Sequence, residues 1–197
     1  LAFLNLAQEP ENFPIPSPPE ALLNCRCNPL LDMGEPEVIE KALKKIPFII
    51  SINYTLDELS ELADIVLPEH SDLERYEVLC QDIKPALAKK FYGMYLTQPA
   101  VQPIHNTRDF HYILTELADR IGILGEYNEN VNQNLALLPS FKLEPDRKYS
   151  MEELVDRQCK SATDGVHGLE WFKHKGALIG SVPTEVQYGA HLEMKAR

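Results

Sequence analysis

Three short polar stretches each follow an apolar run: Cys27-Asn28-Pro29 after ALLNC, Asn53-Tyr54-Thr55 after PFIISI, and Pro68-Glu69-His70 at the end of DIVLP. A carboxamide both donates and accepts hydrogen bonds, so Asn28 and Asn53 can address a base or a ribose. Thr55, if it opens a helix, sets a helix amino end beside an anion. The third stretch runs on into charge, since ADIVLPEHSDLERYE (63–77) carries Glu69, His70, Asp72, Glu74 and Arg75. Arg75 can either meet a phosphate or pair with Asp72 or Glu74. The same residue types also serve turns and caps without any ligand. From these residues alone, ligand binding and turn chemistry stand as equal alternatives.

Other chemistries leave no trace. There is no G-x-G-x-x-G or Walker sequence, which disfavours a free NAD or ATP site, and no G-x-S-x-G nucleophile turn. The histidines at 70, 105, 111, 167, 174 and 191 are scattered without an H-E-x-x-H pair. His111 lies beside an apolar helical stripe, where a surface or hydrogen-bonded histidine is expected rather than a ligand. Cys25, Cys27, Cys80 and Cys159 lack paired C-x-x-C spacing. Cys25 and Cys27, two apart in a strand-like run, are expected on one face of a sheet as buried thiols. No catalytic centre and no metal set is legible.

The polar stretches matter together only if the apolar runs before them are parallel strands. ALLNCRC (21–27) is a short strand-like run closed by the Asn-Pro turn. EPEVIEKALKK (35–45) has Pro36 in a first turn, Val38, Ile39, Ala42 and Leu43 at helical spacing, and lysines at its end. PFIISI (47–52) reads as a buried strand. TLDELSELA (55–63) suggests a short helix with Thr55 as cap and Glu58 as its capping-box partner. DIVLP (64–68) is the next strand. Strand, helix, strand, helix, strand in about fifty residues predicts right-handed parallel crossovers. The expected fold class is α/β, an open, mainly parallel, Rossmann-like sheet with helices on both faces, plus an irregular or helical C-terminal extension. In such sheets ligands lie beyond the carboxyl ends of the strands.

Further on, residues 69–96 read as a long excursion without regular structure, and 96–104 as at best a short edge strand, because Pro99 and Pro103 cannot donate. TRDFHYILTELADRIGI predicts a helix with Phe110, Ile113, Leu114, Leu117, Ala118 and Ile121 on one stripe and Gly122 as its stop. SMEELVDRQ offers a Ser150–Glu153 capping box, and GLEWFKHKG a short helix closed by Gly176.

The 197 residues, 44% hydrophobic and 25% charged, have ordinary globular composition. A net charge of −11 argues against a nucleic-acid partner, which would need clustered cations. No apolar run approaches the roughly 20 residues of a membrane span, and no signal-peptide pattern opens the chain. A soluble chain is expected, with its compartment illegible. The start at Leu1 and the PENFPIPSPP connector (10–19) suggest a piece of something longer. The expected division is a Pro-rich connector over 1–20, an α/β domain over 21–125, and an extension over 126–197.

The order of segments in CNPLLDMGEPEVIEKALKKIPFIISINYTLDELSELADIVLPEHSDLERYE resembles the second nucleotide-binding α/β domain of molybdopterin oxidoreductase large subunits, the dimethyl sulfoxide reductase family. The shared marks are an Asn-Pro after one strand, an apolar strand ending in an acidic residue, a Thr-Glu-Thr-Ala-like helix start, and Ala-Asp-hydrophobic-Val-Leu-Pro. The continuation through LERYE and LTQPAVQPIHNTRDFHYILTELADRIG is similar to the polysulfide and thiosulfate reductase branch. The likeness covers about residues 21–124 and weakens beyond 150, although DGVHGLEWFKHKG is similar to a segment preceding a final β-barrel domain in some members.

The resemblance implies a molybdopterin guanine dinucleotide cofactor carrying molybdenum or tungsten, with one nucleotide arm across the strand ends. Its implied contacts are Cys27, Asn28, Pro29, Asn53, Tyr54, Thr55, Glu69, His70 and Arg75. Asn28 matches the family's Asn-Pro position. Asn53 stands where members usually have Asp, which removes a negative acceptor. Glu58 is retained, while Asp57, Leu59 and Ser60 replace Thr, Thr and Ala. The iron–sulfur cluster and the metal-bound residue would lie in a region preceding this chain, so the isolated chain is expected to be inactive. The implied partners are the rest of the catalytic subunit and an iron–sulfur electron-transfer subunit. Two alternatives stand beside this: an independent α/β binding or interaction module, and a non-redox hydratase or transhydroxylase on the same scaffold.

Overall fold

The computed structural model describes residues 9–12, 18–83 and 91–181. The chain divides into two compact units, one of residues 1–71 with 103–110 and one of residues 72–102 with 111–197.

The first unit is the expected alternation. Strands β1 (Ala21–Cys25), β2 (Phe48–Asn53) and β3 (Ile65–Pro68) form a parallel sheet in the order β1-β2-β3. A single helical turn, α1 (Pro29–Asp32), follows β1, and α2 (Pro36–Leu43) precedes β2 with proline in its first turn. Ile39, Ala42 and Leu43 of α2 share one side at three- and four-residue spacing. With Ile46, Ile49 and Leu59 they make the core of this unit, onto which Leu22, Leu30 and Leu62 pack. Between β2 and β3, α3 spans Glu58–Leu62. Asp64 joins strand to strand by accepting from the Ile49 N–H at 2.7 Å.

Two local expectations fail here. Thr55 does not cap α3; the cap is Asp57, whose carboxylate accepts from the Ser60 N–H at 2.8 Å and the Ser60 hydroxyl at 2.6 Å. A carboxylate next to the first turn has two oxygens to offer and complements the helix dipole, so it displaces the more distant hydroxyl. Cys27 does not share a strand with Cys25, because β1 ends at Cys25 and the chain turns at Arg26, whose φ is 50°. Both thiols are free and half-buried rather than buried.

The second unit holds structure that the sequence reading missed. Residues 69–96 include β4 (Glu77–Ile83) and the start of β5 (Phe91–Thr97), antiparallel to one another. Strand β6 (Ala177–Ser181) pairs antiparallel with the other side of β5. The central strand thus finds one partner more than eighty residues later, a pairing no local pattern announces. One sheet face carries Val78, Met94, Leu96 and Leu178 onto helices α6 (Met151–Ala162) and α7 (Leu169–Lys175). Val155, Cys159, Leu169 and Phe172 complete that core.

The Ser150–Glu153 capping box is present, and Gly176 closes α7 at φ 74°. Helix α4 (Phe110–Arg120) lies where expected, but its buried positions are His111, Thr115 and Ala118, while Ile121 is exposed. His111 Nδ1 lies 3.2 Å from the Tyr127 hydroxyl of α5 (Leu124–Asn134), so the histidine is a buried, hydrogen-bonded one.

Candidate functional site

Parallel pairing of Cys25 with Ile52, Ile52 with Leu67 and Asn53 with Pro68 brings the three strand ends to one edge. Backbone bonds carry the arrangement past the strands: the Arg26 N–H donates to Ile52 O and the Glu69 N–H to Asn53 O, each at 3.0 Å. A fourth segment joins there, since the His70 N–H donates to Arg108 O at 3.0 Å and the Arg108 N–H to Pro68 O at 3.2 Å.

The turn after β1 is fixed from both sides. Asn24 Nδ2 donates to Cys27 O at 2.8 Å, and the Asn28 carbonyl accepts from the Leu31 and Asp32 N–H groups at 3.0 Å. Pro29 is buried in the first turn of α1. The Asn28 side chain donates to Glu58, and its Oδ1 is buried with no protein donor among the described residues. Burial of Cys25 beside this turn pushes its thiol upward in pKa, with the Arg26 charge opposing.

After β2, Asn53 is buried and both ends of its amide are engaged. Nδ2 donates to Asp57 at 2.8 Å, and Oδ1 accepts from the Tyr54 N–H at 2.9 Å. Asn53 therefore organises its loop, and the loop presents Tyr54 and Thr55 to solvent together with Leu56, which is 79% exposed. Glu58, also exposed, accepts from the Asn28 amide.

After β3, Glu69 is buried and forks onto Arg26, over whose guanidinium the Phe110 ring lies at 5.2 Å. His70 is half-buried beside it in sequence. Arg75 belongs to the second unit, is buried, and pairs with Asp72 and with Glu77, the latter at 3.1 Å. The first unit thus gathers Cys27, Asn28, Pro29, Asn53, Tyr54, Thr55, Glu69 and His70 along one edge. Arg26, Glu58 and Phe110 join them unforeseen. Glu58 carried a signal, its position in the family-like helix start; Arg26 and Phe110 carried none, because nothing local links residues 26, 69 and 110.

No protein-family model matches the chain. Over 151 residues, 75% of this chain, it is 24% identical to a trimethylamine-N-oxide reductase of Vibrio parahaemolyticus. Over 105 residues it is 26% identical to a menaquinone reductase, molybdopterin-binding-like subunit of Nitratidesulfovibrio vulgaris. The chain is homologous to part of each of these reductase proteins. It spans 18% of the length of the first relative and 15% of the second, in each case matching only part of a much longer protein. The fold agrees: acetylene hydratase from Pelobacter acetylenicus superposes with a TM-score of 0.63 at 19% identity, covering 92% of this chain and 21% of that one. The resemblance read from the sequence is thereby borne out, as is the α/β class. Among the described residues no helix is long and apolar enough to cross a membrane.

The edge offers hydrogen-bond acceptors and an exposed aromatic ring. The Asn28 Oδ1 and the Glu58 carboxylate are acceptors, the complement of a ligand that presents N–H or O–H donors. The exposed Tyr54 ring adds a stacking surface.

Proposed function

We propose that the chain is part of the catalytic subunit of a molybdopterin-dependent oxidoreductase and that its parallel-sheet edge takes one guanine dinucleotide arm of the cofactor. Asn28, Tyr54, Thr55 and Glu58 hold the nucleoside, Asn53 shapes the loop between them, and Cys27, Pro29 and His70 border the site. When bound, the cofactor supplies the redox chemistry; these residues supply position and electrostatics. The observation that carries the reading is the buried, unanswered Asn28 Oδ1 at the meeting point of parallel strand ends, in a chain homologous to part of those reductase proteins. The rest of the catalytic subunit and an iron–sulfur electron-transfer subunit are the partners this reading implies. The chain alone then turns over no artificial electron donor.

The test restores the full-length subunit and compares wild type with Asn28→Leu and Asn53→Leu for bound pterin and nucleotide. Each variant replaces an amide by apolar bulk at the edge, so cofactor content falls while circular dichroism keeps its folded signature. Wild-type loading in both variants would place the nucleotide elsewhere.

A further inference from the structure

Arg26 is the first residue beyond β1, and its φ of 50° is a left-handed conformation that residues other than Gly, Asn and Asp rarely adopt. Its N–H is bonded to Ile52 O, which pins the backbone to the end of the central strand. Its side chain then forks, Nε and Nη2 each donating to one oxygen of Glu69. The Glu69 side chain is 0% exposed and that of Arg26 26%. The guanidinium carbon lies 5.2 Å from the centre of the Phe110 ring, within cation–π range.

Topology makes this pair informative. Strands β1 and β3 are not neighbours, because β2 runs between them. At roughly 4.8 Å per strand the pair reaches across about 10 Å. It therefore ties the two outer strand ends together over the width of the central one. Each partner stands beside proposed contacts: Arg26 opens the turn of Cys27, Asn28 and Pro29, and Glu69 precedes His70 while its N–H holds Asn53 O. A buried ion pair adds little net stability over an apolar pair of the same shape, since desolvation offsets attraction. What a guanidinium fork does add is geometry, because two parallel bonds fix distance and plane together. Backbone strain held at a ligand edge fits the same purpose.

We infer that Arg26, Glu69 and Phe110 form a positioning clasp that sets the separation and tilt of the Asn28 and His70 loops, so that the edge is preformed for a purine nucleoside. The inference rests on the proposed function. Arg26 and Glu69 act through the loops and do not touch the nucleotide, which gives Glu69 a supporting part in place of direct contact.

The experiment uses the cofactor-loaded, full-length subunit and measures GMP released by acid hydrolysis per folded protein, the rate of nucleotide loss on dilution, and thermal melting. Glu69→Gln keeps the shape and removes the charge; Arg26→Lys keeps the charge and removes the fork. Each is expected to speed nucleotide loss about 10-fold, the lower end of what residues supporting a metal ligand contribute at metal sites. The double variant is expected to lose it no faster than the worse single, because both changes break the same pair. Phe110→Leu gives a smaller acceleration. Wild-type retention in folded Glu69→Gln and Arg26→Lys, with Asn28→Leu losing nucleotide, overturns the clasp and leaves the proposed function standing. Retention in Asn28→Leu and Asn53→Leu as well, or no GMP in wild type, overturns the proposed function itself. Should either charge variant fail to fold, Phe110→Leu decides, and unchanged retention there counts against the clasp.

Discussion

The two units use buried polar side chains in opposite ways. In the second, Asn128 and Asn132 of α5 hold backbone: Asn128 Nδ2 donates to the carbonyls of Glu144 and Arg147, and Asn132 exchanges bonds with both the N–H and the carbonyl of Leu143. Tyr149 takes the Glu144 N–H on its hydroxyl, and the guanidinium carbons of Arg147 and Arg157 lie 4.6 and 4.8 Å from the centre of its ring. These groups close a loop onto a core. In the first unit, besides Ser51 and Ser60, which bond to one another, the buried polar groups Asn24, Asn53 and Glu69 collect where the parallel strands end, and next to them stand exposed Tyr54, Thr55 and Glu58. The Asn128 and Asn132 amides reach backbone groups, whereas Asn53 and Glu69 of the first unit pair with the side chains of Asp57 and Arg26 and border side chains left open to solvent.

The comparison breaks most severely at the cores. Phe172 in the second unit and Leu43 in the first are both 0% exposed. Phe172→Ala is expected to cost about 3–5 kcal/mol and Leu43→Ala about 2–5 kcal/mol by transfer and cavity terms. If the units melt as separate transitions, each substitution lowers only its own midpoint in a calorimetric scan of the chain. A single shared transition moved equally by both would show that they unfold as one.

The next effect separates the buried amide of Asn128 from the half-buried one of Asn28. Asn128→Ala leaves two carbonyls without donors and is expected to cost about 1–3 kcal/mol in denaturant unfolding. Asn28→Ala removes a bond to an exposed carboxylate and is expected to cost less than about 1 kcal/mol. Comparable losses would mean that Asn28 is a packing residue like Asn128.

How much of this was legible depends on sequence distance. The parallel unit could be read because each step is local: α2 shows its apolar spacing within eight residues, and β2 is an apolar run, interrupted by Ser51, between proline and asparagine. The antiparallel sheet could not, because β5 is completed by β6 from the far end of the chain, and Gly93 and the mixed Gln81-Asp82 blur the alternation. Gly93 has its own reason: a Cβ there would lie 2.6 Å from the Tyr95 hydroxyl. At the edge, the strand ends were visible but the clasp was not, because Arg26 and Glu69 lie 43 residues apart. The apolar stripe of α4 was read correctly as amphipathic, yet the positions most buried are His111, Thr115 and Ala118, since the Tyr127 hydroxyl gives His111 a polar partner inside.

The smallest effect compares two helix caps. Ser150 opens α6 in a reciprocal box with Glu153, the Glu153 N–H donating to Ser150 Oγ at 3.2 Å and the Ser150 N–H to Glu153 at 3.0 Å. Asp57 opens α3 by accepting from Ser60, and its second oxygen also holds Asn53. Ser150→Ala removes one partner of an exposed cap and is expected to cost about 1 kcal/mol, with no consequence at the strand edge. Asp57→Ala loses a cap of similar size and also releases the Asn53 amide, whose orientation shapes the Tyr54 loop. The two variants should therefore melt alike and differ elsewhere: Tyr54 fluorescence quenching by acrylamide, in a background where the other tyrosines are replaced by phenylalanine and Trp171 is replaced too, should change in Asp57→Ala and not in Ser150→Ala. Equal quenching in both would show that Asp57 is a cap and nothing more, and that the loop after β2 keeps its shape without it.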